Sequence, residues 1–186
     1  ALFAPWLTPY ASEGRGIPHM TNKLALPSAA HPLGADEMGR DMLARTLFGA
    51  RTSLALIAVV ICSSIAVGGA MGLAAGSLGG WTDVAAMRLV EVFLAFPPLL
   101  LAILLVTALG GGFASVTLTL AILWWPDYAL LVRNQVAVLR SRPFVEAAQA
   151  IVELPVRIMV RHLLPNAIGP LLTQAAVAAS AILLVA

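Results

Sequence analysis

Few side chains in this sequence have a type and position that could carry chemistry, and Asp127 is the clearest of them. It interrupts a long apolar stretch. If that stretch crosses a membrane, the charge costs about 3 kcal/mol unless it meets water or a partner. We therefore predict that Asp127 faces a polar path or pairs with an arginine of the same bundle. No catalytic residue, metal site or bound cofactor is predicted, since neither His31 nor His162 has a second ligand three or four residues away.

Glycines recur at every fourth position along one stretch, at Gly68, Gly72, Gly76 and Gly80. On a helix this spacing leaves a groove on one face, where another backbone can approach closely and gain van der Waals contact. The alternative, a phosphate-binding loop, needs a Lys directly after its last Gly. The chain has no Gly-Lys pair. The glycines therefore predict a packing face, and any ATP hydrolysis must come from another subunit.

The composition predicts a membrane protein. Of the 186 residues, 60% are hydrophobic and 11% are charged, against about 25% charged in an ordinary soluble domain. Each uncharged stretch exceeds the roughly 20 residues that cross a bilayer; these stretches are 52–82, 92–126 and 162–186. The basic residues form no stripe, so nucleic acid is not an expected partner. Cys62 is the only cysteine, which excludes an internal disulfide and favours a small apolar role.

These features predict an all-α, polytopic membrane fold with three segments. Residues 1–7 are expected to end a first transmembrane helix, 8–52 to form an outer loop with an interfacial helix, and 53–186 to form the transmembrane domain. Both ends are expected to be cut within spans. Adjacent Pro97 and Pro98 should kink one of the spans. The expected complete or partial spans are 53–78, about 89–109, about 114–136, and 165 to the end, with a short polar connection at 79–88.

A loop at about 140–162 is predicted to be cytoplasmic. Five arginines fall between Arg133 and Arg161, close to two span ends, and such clustering favours the cytoplasmic side. Ser141 can cap a short helix with Pro143 in its first turn, and Pro155 should end it. About a dozen residues at 1.5 Å each give roughly 18 Å, which is too short to cross a bilayer. This helix should lie along the membrane surface.

Small residues in that short helix allow another protein to seat closely against it. Ala147, Ala148 and Ala150 supply the small surface, and Glu146 lies near the helix N-terminus, where the helix dipole tolerates an acid. A plain interfacial helix remains open as the alternative. The order of the surrounding residues favours the docking interpretation.

Several motifs in order resemble the inner-membrane permeases of ATP-binding-cassette (ABC) importers. Glu146-Ala147-Ala148, followed by the segment 161–167 (RHLLPNA), is similar to the cytoplasmic "EAA" loop of that family. Residues 31–41 (HPLGADEMGRD) resemble the segment before the second span in its dipeptide, oligopeptide and nickel branch. Three further matches fall where that branch has them: Gly79-Gly80-Trp81, Ala95-Phe96-Pro97, and Trp125-Pro126 with Tyr128-Ala129.

The resemblance implies the type I transmembrane-domain fold of ABC importers and a permease for dipeptides or oligopeptides, with a nickel chelate or glutathione as alternatives. Asp127 would then be a candidate for the translocation path. The implied partners are a homologous second permease, two ABC ATPases that use the ATP, a periplasmic or lipid-anchored solute-binding protein, and membrane lipid. The residues implied to couple the chain to its ATPase are Phe144, Val145, Glu146, Ala147, Ala148, Ala150 and Glu153.

Two positions depart from the family pattern. Val152 stands where the family usually has a Gly that allows the loop to turn, and Leu130 stands where an Arg often follows Tyr128-Ala129. Two other classes of protein stay open. A secondary transporter would fit broken helices and an intramembrane acid but needs inverted repeats, which are not found in this length. A structural membrane scaffold would explain the glycine face but not the ordered loop.

Overall fold

The computed structural model describes residues 4–143, 145 and 155–185. Within this part the chain is built of helices and turns, with one isolated antiparallel bridge between Ala35 and Asp41. The predicted all-α class is confirmed. The chain divides into two compact units, one up to Leu56 and one from Ile57 onward, and each is described by itself.

The first unit is a small loop-rich domain held by buried polar contacts. It contains the short helices α1 (Ala4–Leu7) and α2 (Ala11–Gly14), a 3-10 turn (Met20–Asn22) and the beginning of α3 (Met42–Leu78). The carboxylate of Asp41 accepts the N–H of Ala44 at 2.7 Å, which caps α3. It also lies 3.0 Å from the ring Nδ1 of His31. The contact between His31 and Asp41 therefore joins the two ends of the segment 31–41.

Asp36 organises the turn inside that segment. Its Oδ1 accepts the backbone N–H groups of Met38 and Arg40, both at 2.9 Å, and its Oδ2 accepts the guanidinium groups of Arg40 and Arg45. Burial by itself would raise the pKa of the Asp36 carboxyl. The hydrogen bonds from the Arg40 backbone and side chain and from Met38 outweigh burial and hold that pKa well below its usual range. The turn is thus built around an ionised carboxylate.

The second unit contains the rest of α3 and the helices that follow it. Those helices are α4 (Gly80–Leu94), α5 (Pro98–Ala108), α6 (Gly112–Arg140), α7 (Pro155–Ile158), a π-helical turn (Met159–Leu163) and α8 (Leu164–Val185). Among the described residues, three helices are long and apolar enough to cross a membrane: α3, α6 and α8. The pair α4 and α5 makes a fourth, broken span if its halves are counted together, with a bend of 85° between them.

The second span bends at Pro97 and Pro98 as predicted, and the bend is a complete break between two helices. Pro97 has a non-helical backbone (ψ 121°), and Pro98 opens a new helix at its first position. The prediction of a polar connection at 79–88 was wrong, because the chain is helical from Gly80 onward. The charged side chains there form ion pairs while the backbone is helical: Asp83 pairs with Arg133, and Arg88 with Glu91. The polar residues of this segment therefore do not require a loop.

The other spans lie close to their predicted positions. The helix α3 includes the predicted span 53–78 and continues without interruption from Met42, and α6 extends the predicted 114–136 at both ends. Near the middle of α6, Trp125 and Ala129 form a buried cluster with Val90 of α4. The rings of Phe93 and Trp125 meet edge to face, with centroids 5.1 Å apart. This cluster fixes α4 against α6.

Candidate functional site

Three of the four predicted glycines bring α3 into backbone contact with α6. A Cβ added at Gly68 would collide with the carbonyl oxygen of Trp125, and one at Gly72 with that of Ala129. At Gly76 it would lie 2.9 Å from the carbonyl oxygen of Arg133. The three α6 residues are four apart, as the glycines are, so the two helices match turn for turn.

Gly80 does not belong to this contact. It is the first residue of α4, and nothing lies within 4 Å of the position its Cβ would occupy. Gly79 and Gly80 both have positive φ, at 68° and 54°. Residues other than Gly rarely adopt this backbone conformation. The glycine face therefore ends at Gly76, and the last glycine of the series helps to reverse the chain between α3 and α4.

An ion pair joins the beginning of α4 to α6 beside these glycines. Arg133 donates from Nε to Asp83 Oδ1 at 2.9 Å and from Nη2 to Asp83 Oδ2 at 2.5 Å, the two-bond geometry in which Arg–carboxylate pairs are strongest. The side chains are 34% and 23% exposed. Since the backbone of Arg133 contacts the glycine face, this one residue connects α3, α4 and α6.

A second arginine ties the end of α6 to α3. Arg140, the last residue of α6, donates from Nη1 to the carbonyl oxygen of Gly76 at 3.1 Å. Between the two arginines lies an open cleft of about 400 Å³, lined also by Gly79, Asp83 and Ser141. We call Gly72, Gly76, Asp83, Arg133 and Arg140 the three-helix junction. It lies at the end of α6 from which the predicted cytoplasmic loop departs.

The predicted coupling residues are mostly outside the part of the chain that the structure describes. Phe144, Glu146, Ala147, Ala148, Ala150 and Glu153 are all among the undescribed residues, as is Val152. Val145 is buried, and its N–H donates to the carbonyl oxygen of Arg142 at 2.9 Å. The described chain resumes at α7 and passes through the π-helical turn, which contains Arg161, into α8. The docking role of the loop stays a prediction.

Asp127 points away from the helices that pack on α6. It is exposed, whereas its neighbours Pro126 and Tyr128 are buried. None of the ion pairs among residues 4–143, 145 and 155–185 includes Asp127. Arg133, an arginine on the same helix, pairs with Asp83 instead. Leu130 and Asn134, three and seven residues further on, are also exposed. They share one face of α6 with Asp127.

Comparison with known proteins identifies the family. Residues 68–186 match the family described as the binding-protein-dependent transport system inner membrane component. The chain belongs to this family. The match includes the whole three-helix junction and the predicted cytoplasmic loop, and the predicted resemblance to ABC importer permeases is confirmed. The candidate spans agree with the family's description as an inner membrane component.

Relatives of this chain carry two substrate names. The chain is 38% identical over 175 residues to the dipeptide transport system permease protein of Alkalihalophilus pseudofirmus, covering 94% of this chain and 57% of the relative. It is 37% identical over 169 residues to the glutathione transport system permease protein of Pectobacterium atrosepticum, covering 91% and 56%. The chain thus spans a little over half the length of the curated relatives that it matches.

The pattern of residues did not predict the contacts of Asp83, Arg133 and Arg140. One signal was present: two predicted spans separate the connection that contains Asp83 from the loop with the arginine cluster, so both lie on the same side of the membrane. An acid at a span end and an arginine at the end of another span on that side are candidates for an ion pair. Which arginine pairs with it depends on how far α6 and α4 are rotated, and the pattern of residues does not report that rotation.

Proposed function

We propose that this chain forms part of the membrane-spanning permease subunit of an ATP-driven importer for short peptides. The observation that carries the proposal is the family match from residue 68 to residue 186, which contains the junction, the cytoplasmic loop and the last two candidate spans. The permease itself hydrolyses nothing in this proposal. Its role is to provide the path across the membrane and to respond to the ATPase.

Dipeptides or oligopeptides are the proposed substrates, with glutathione as the second candidate. The relatives named for dipeptide and for glutathione transport are equally similar to this chain, at 37–38% identity. Glutathione is itself a short peptide, so both names describe one chemical class. In this proposal a separate solute-binding protein, rather than this chain, determines which of these peptides is transported.

Asp127 is proposed to lie on the translocation path. Its exposed face of α6, shared with Asn134, is left uncovered by the described helices of this chain. An uncovered acid within a span needs water or a polar neighbour. A path formed between this chain and a homologous second permease would supply that environment, and the positively charged amino group of a peptide would be attracted to the carboxylate.

The proposed partners follow from the mode of transport. A solute-binding protein, periplasmic or lipid-anchored, would deliver the substrate, as the family's description implies. Two ABC ATPase subunits would dock on the cytoplasmic loop, with Ala147 and Ala148 providing the small surface. Phe144, Val145, Glu146, Ala150 and Glu153 would complete the docking segment.

Reconstitution tests the proposal and separates it from its rivals. The full-length permease is purified with its neighbouring subunits and placed in vesicles, and uptake of a labelled dipeptide and of labelled glutathione is measured with and without ATP. We expect an ATPase and a second permease to co-purify and uptake to require ATP. Uptake driven by an ion gradient without ATP would indicate a secondary transporter. Neither co-purification of an ATPase nor uptake of solute would be expected of a scaffold.

A further inference from the structure

The link between α3 and α4 consists of two glycines with few neighbours. Gly79 and Gly80 both have positive φ; the Cβ position of Gly79 has only Arg140 Nη1 nearby, at 3.6 Å, and that of Gly80 has nothing within 4 Å. Glycine pairs in such surroundings allow the following helix to rotate about them. The first described side chain of α4 that is tied to another helix by an ion pair is Asp83, one turn beyond the link.

The ion pair at Asp83 has a geometry suited to positioning. Its side chains are 23% and 34% exposed, and its two parallel hydrogen bonds fix both the distance and the orientation of the two side chains. Because the pair is bidentate and partly buried, it also adds to the free energy of unfolding. Because Arg133 is itself held against Gly72 and Gly76, Asp83 is fixed to a rigid point on α6.

The same end of α6 leads into the cytoplasmic loop. Arg140 ends α6 and bonds to the carbonyl oxygen of Gly76, and Ser141 follows directly. Any displacement of the loop therefore reaches α6 at residues that are already bonded to α3 and α4. Further along α4, Val90 and Phe93 pack on Trp125. The helix α4 therefore contacts α6 through an ion pair near its beginning and through apolar side chains two to three turns later.

We propose that the Asp83–Arg133 ion pair is the positioning contact that makes α4, and with it the broken span α4–α5, follow α6 when the cytoplasmic loop is moved by the ATPase. Asp83 and Arg133 are positioning residues here, because neither needs to touch the substrate. The inference rests on the proposed function, since it assumes an importer with an ATPase on the loop. It assigns to these two residues the step between loop movement and opening of the path.

The test compares uptake with ATP hydrolysis in the reconstituted importer. Asp83→Asn and Arg133→Gln each remove the ion pair, and we expect each to lower the uptake per ATP hydrolysed by about five-fold. The double variant Asp83→Arg with Arg133→Asp restores opposite charges across the same gap, and we expect it to recover at least half of the coupling. A contact that only stabilised the fold would instead lower the amount of assembled importer, with uptake and hydrolysis falling in proportion.

A matched control lies on the same helix. Arg88 and Glu91 form an ion pair within α4, with side chains 75% and 61% exposed, that connects no other helix. Removing it with Arg88→Gln and Glu91→Gln should leave the uptake per ATP unchanged. If Asp83→Asn fails to accumulate in the membrane, Arg133→Gln removes the same ion pair from the α6 side and should lower the same ratio.

The outcomes distinguish this inference from the function on which it rests. If the unaltered importer shows no ATP-dependent uptake, the proposed function is wrong. If the unaltered importer transports and Asp83→Asn and Arg133→Gln keep its uptake per ATP, the function stands and the positioning role is overturned. A proportional loss of uptake and hydrolysis in the Asp83 variant, without recovery in the double variant, would also overturn the positioning role.

Discussion

Single residues decide how closely the helices of this chain approach each other. Gly68 and Gly72 face carbonyl oxygens of α6 with no room for even one methyl group, whereas Gly69, next in sequence, has only the end of the Ile65 side chain at 4.0 Å. The difference between two adjacent glycines is therefore set by which side of α3 they occupy. Adding a single methyl group at one of these glycines is therefore enough to test the packing of α3 on α6.

Gly68→Ala should destabilise the protein, and Gly69→Ala should not. The added methyl group at residue 68 forces α3 and α6 apart, and overpacking of this kind costs about 1–3 kcal/mol. At residue 69 there is space, and Ala favours the helix by up to about 1 kcal/mol. Thermal unfolding of the two variants in the same detergent measures the difference. Equal melting temperatures would contradict the close contact between α3 and α6.

The position of Asp127 leads to a separate prediction about transport. Because the side chain is exposed and makes no ion pair within the described ranges, Asp127→Asn should leave the membrane level of the protein unchanged. We expect it to slow uptake of peptides with a free amino group more than uptake of N-acetylated peptides, since only the former carry the positive charge. Uptake that matched the parent in rate and substrate range would count against a place on the path.

The elements show where the chain bends and why. Two prolines in succession, Pro97 and Pro98, separate α4 from α5 and give the 85° bend, whereas single prolines inside α6 and α8, at Pro126 and Pro170, leave those helices continuous. A single Pro removes one backbone donor, which neighbouring groups in a bundle can compensate. In the pair, the second Pro also keeps the first out of the helical conformation.

Replacing the proline pair should straighten the broken span. In Pro97→Ala/Pro98→Ala the backbone donors return and the restriction on residue 97 is lifted, so α4 and α5 can form one helix. Spin labels at exposed residues 89 and 104 should move further apart, and uptake should fall. Pro170→Ala in α8 is the control, because that helix is already continuous, and it should change neither quantity. An unchanged label distance in the double variant would show that packing rather than proline sets the bend.

At the scale of the whole molecule, the proposed function requires that movement of the predicted cytoplasmic loop reach the proposed path. The family match runs from the middle of α3 to residue 186, and within it the three-helix junction adjoins the segment proposed to dock the ATPase. The first unit has its own organisation around Asp36 and Asp41. The segment proposed to couple the chain to its ATPase therefore belongs to the second unit, where it follows the junction along the chain.

Bulky charged residues in the loop should uncouple the importer without removing it from the membrane. We expect Ala147→Glu and Ala148→Glu to abolish ATP-driven uptake, because each would place a charge where the ATPase needs a small surface. Ala29→Glu, at an exposed position of the first unit, is the control and should leave uptake intact. Retained uptake in both loop variants would show that the docking surface lies elsewhere.

The sequence by itself determined the class of the protein, its family and the approximate positions of its spans. Apolar length and glycine spacing are local properties, and they predicted α3, α6 and the face at Gly68, Gly72 and Gly76 because helix geometry converts spacing into position. The ordered motifs around Glu146 and His31 predicted the family for a similar reason, since each motif is contiguous in the chain.

Only the tertiary structure decided which distant residues meet. Asp83 pairs with Arg133 across 50 positions, and Asp127, the acid that stood out in the sequence, is left facing away from the bundle. Gly80 leaves the glycine face because the chain reverses at Gly79, which a four-residue spacing cannot report. The physical reason is common to all three: partner choice depends on how helices rotate and pack, and side chains far apart in sequence determine that rotation together.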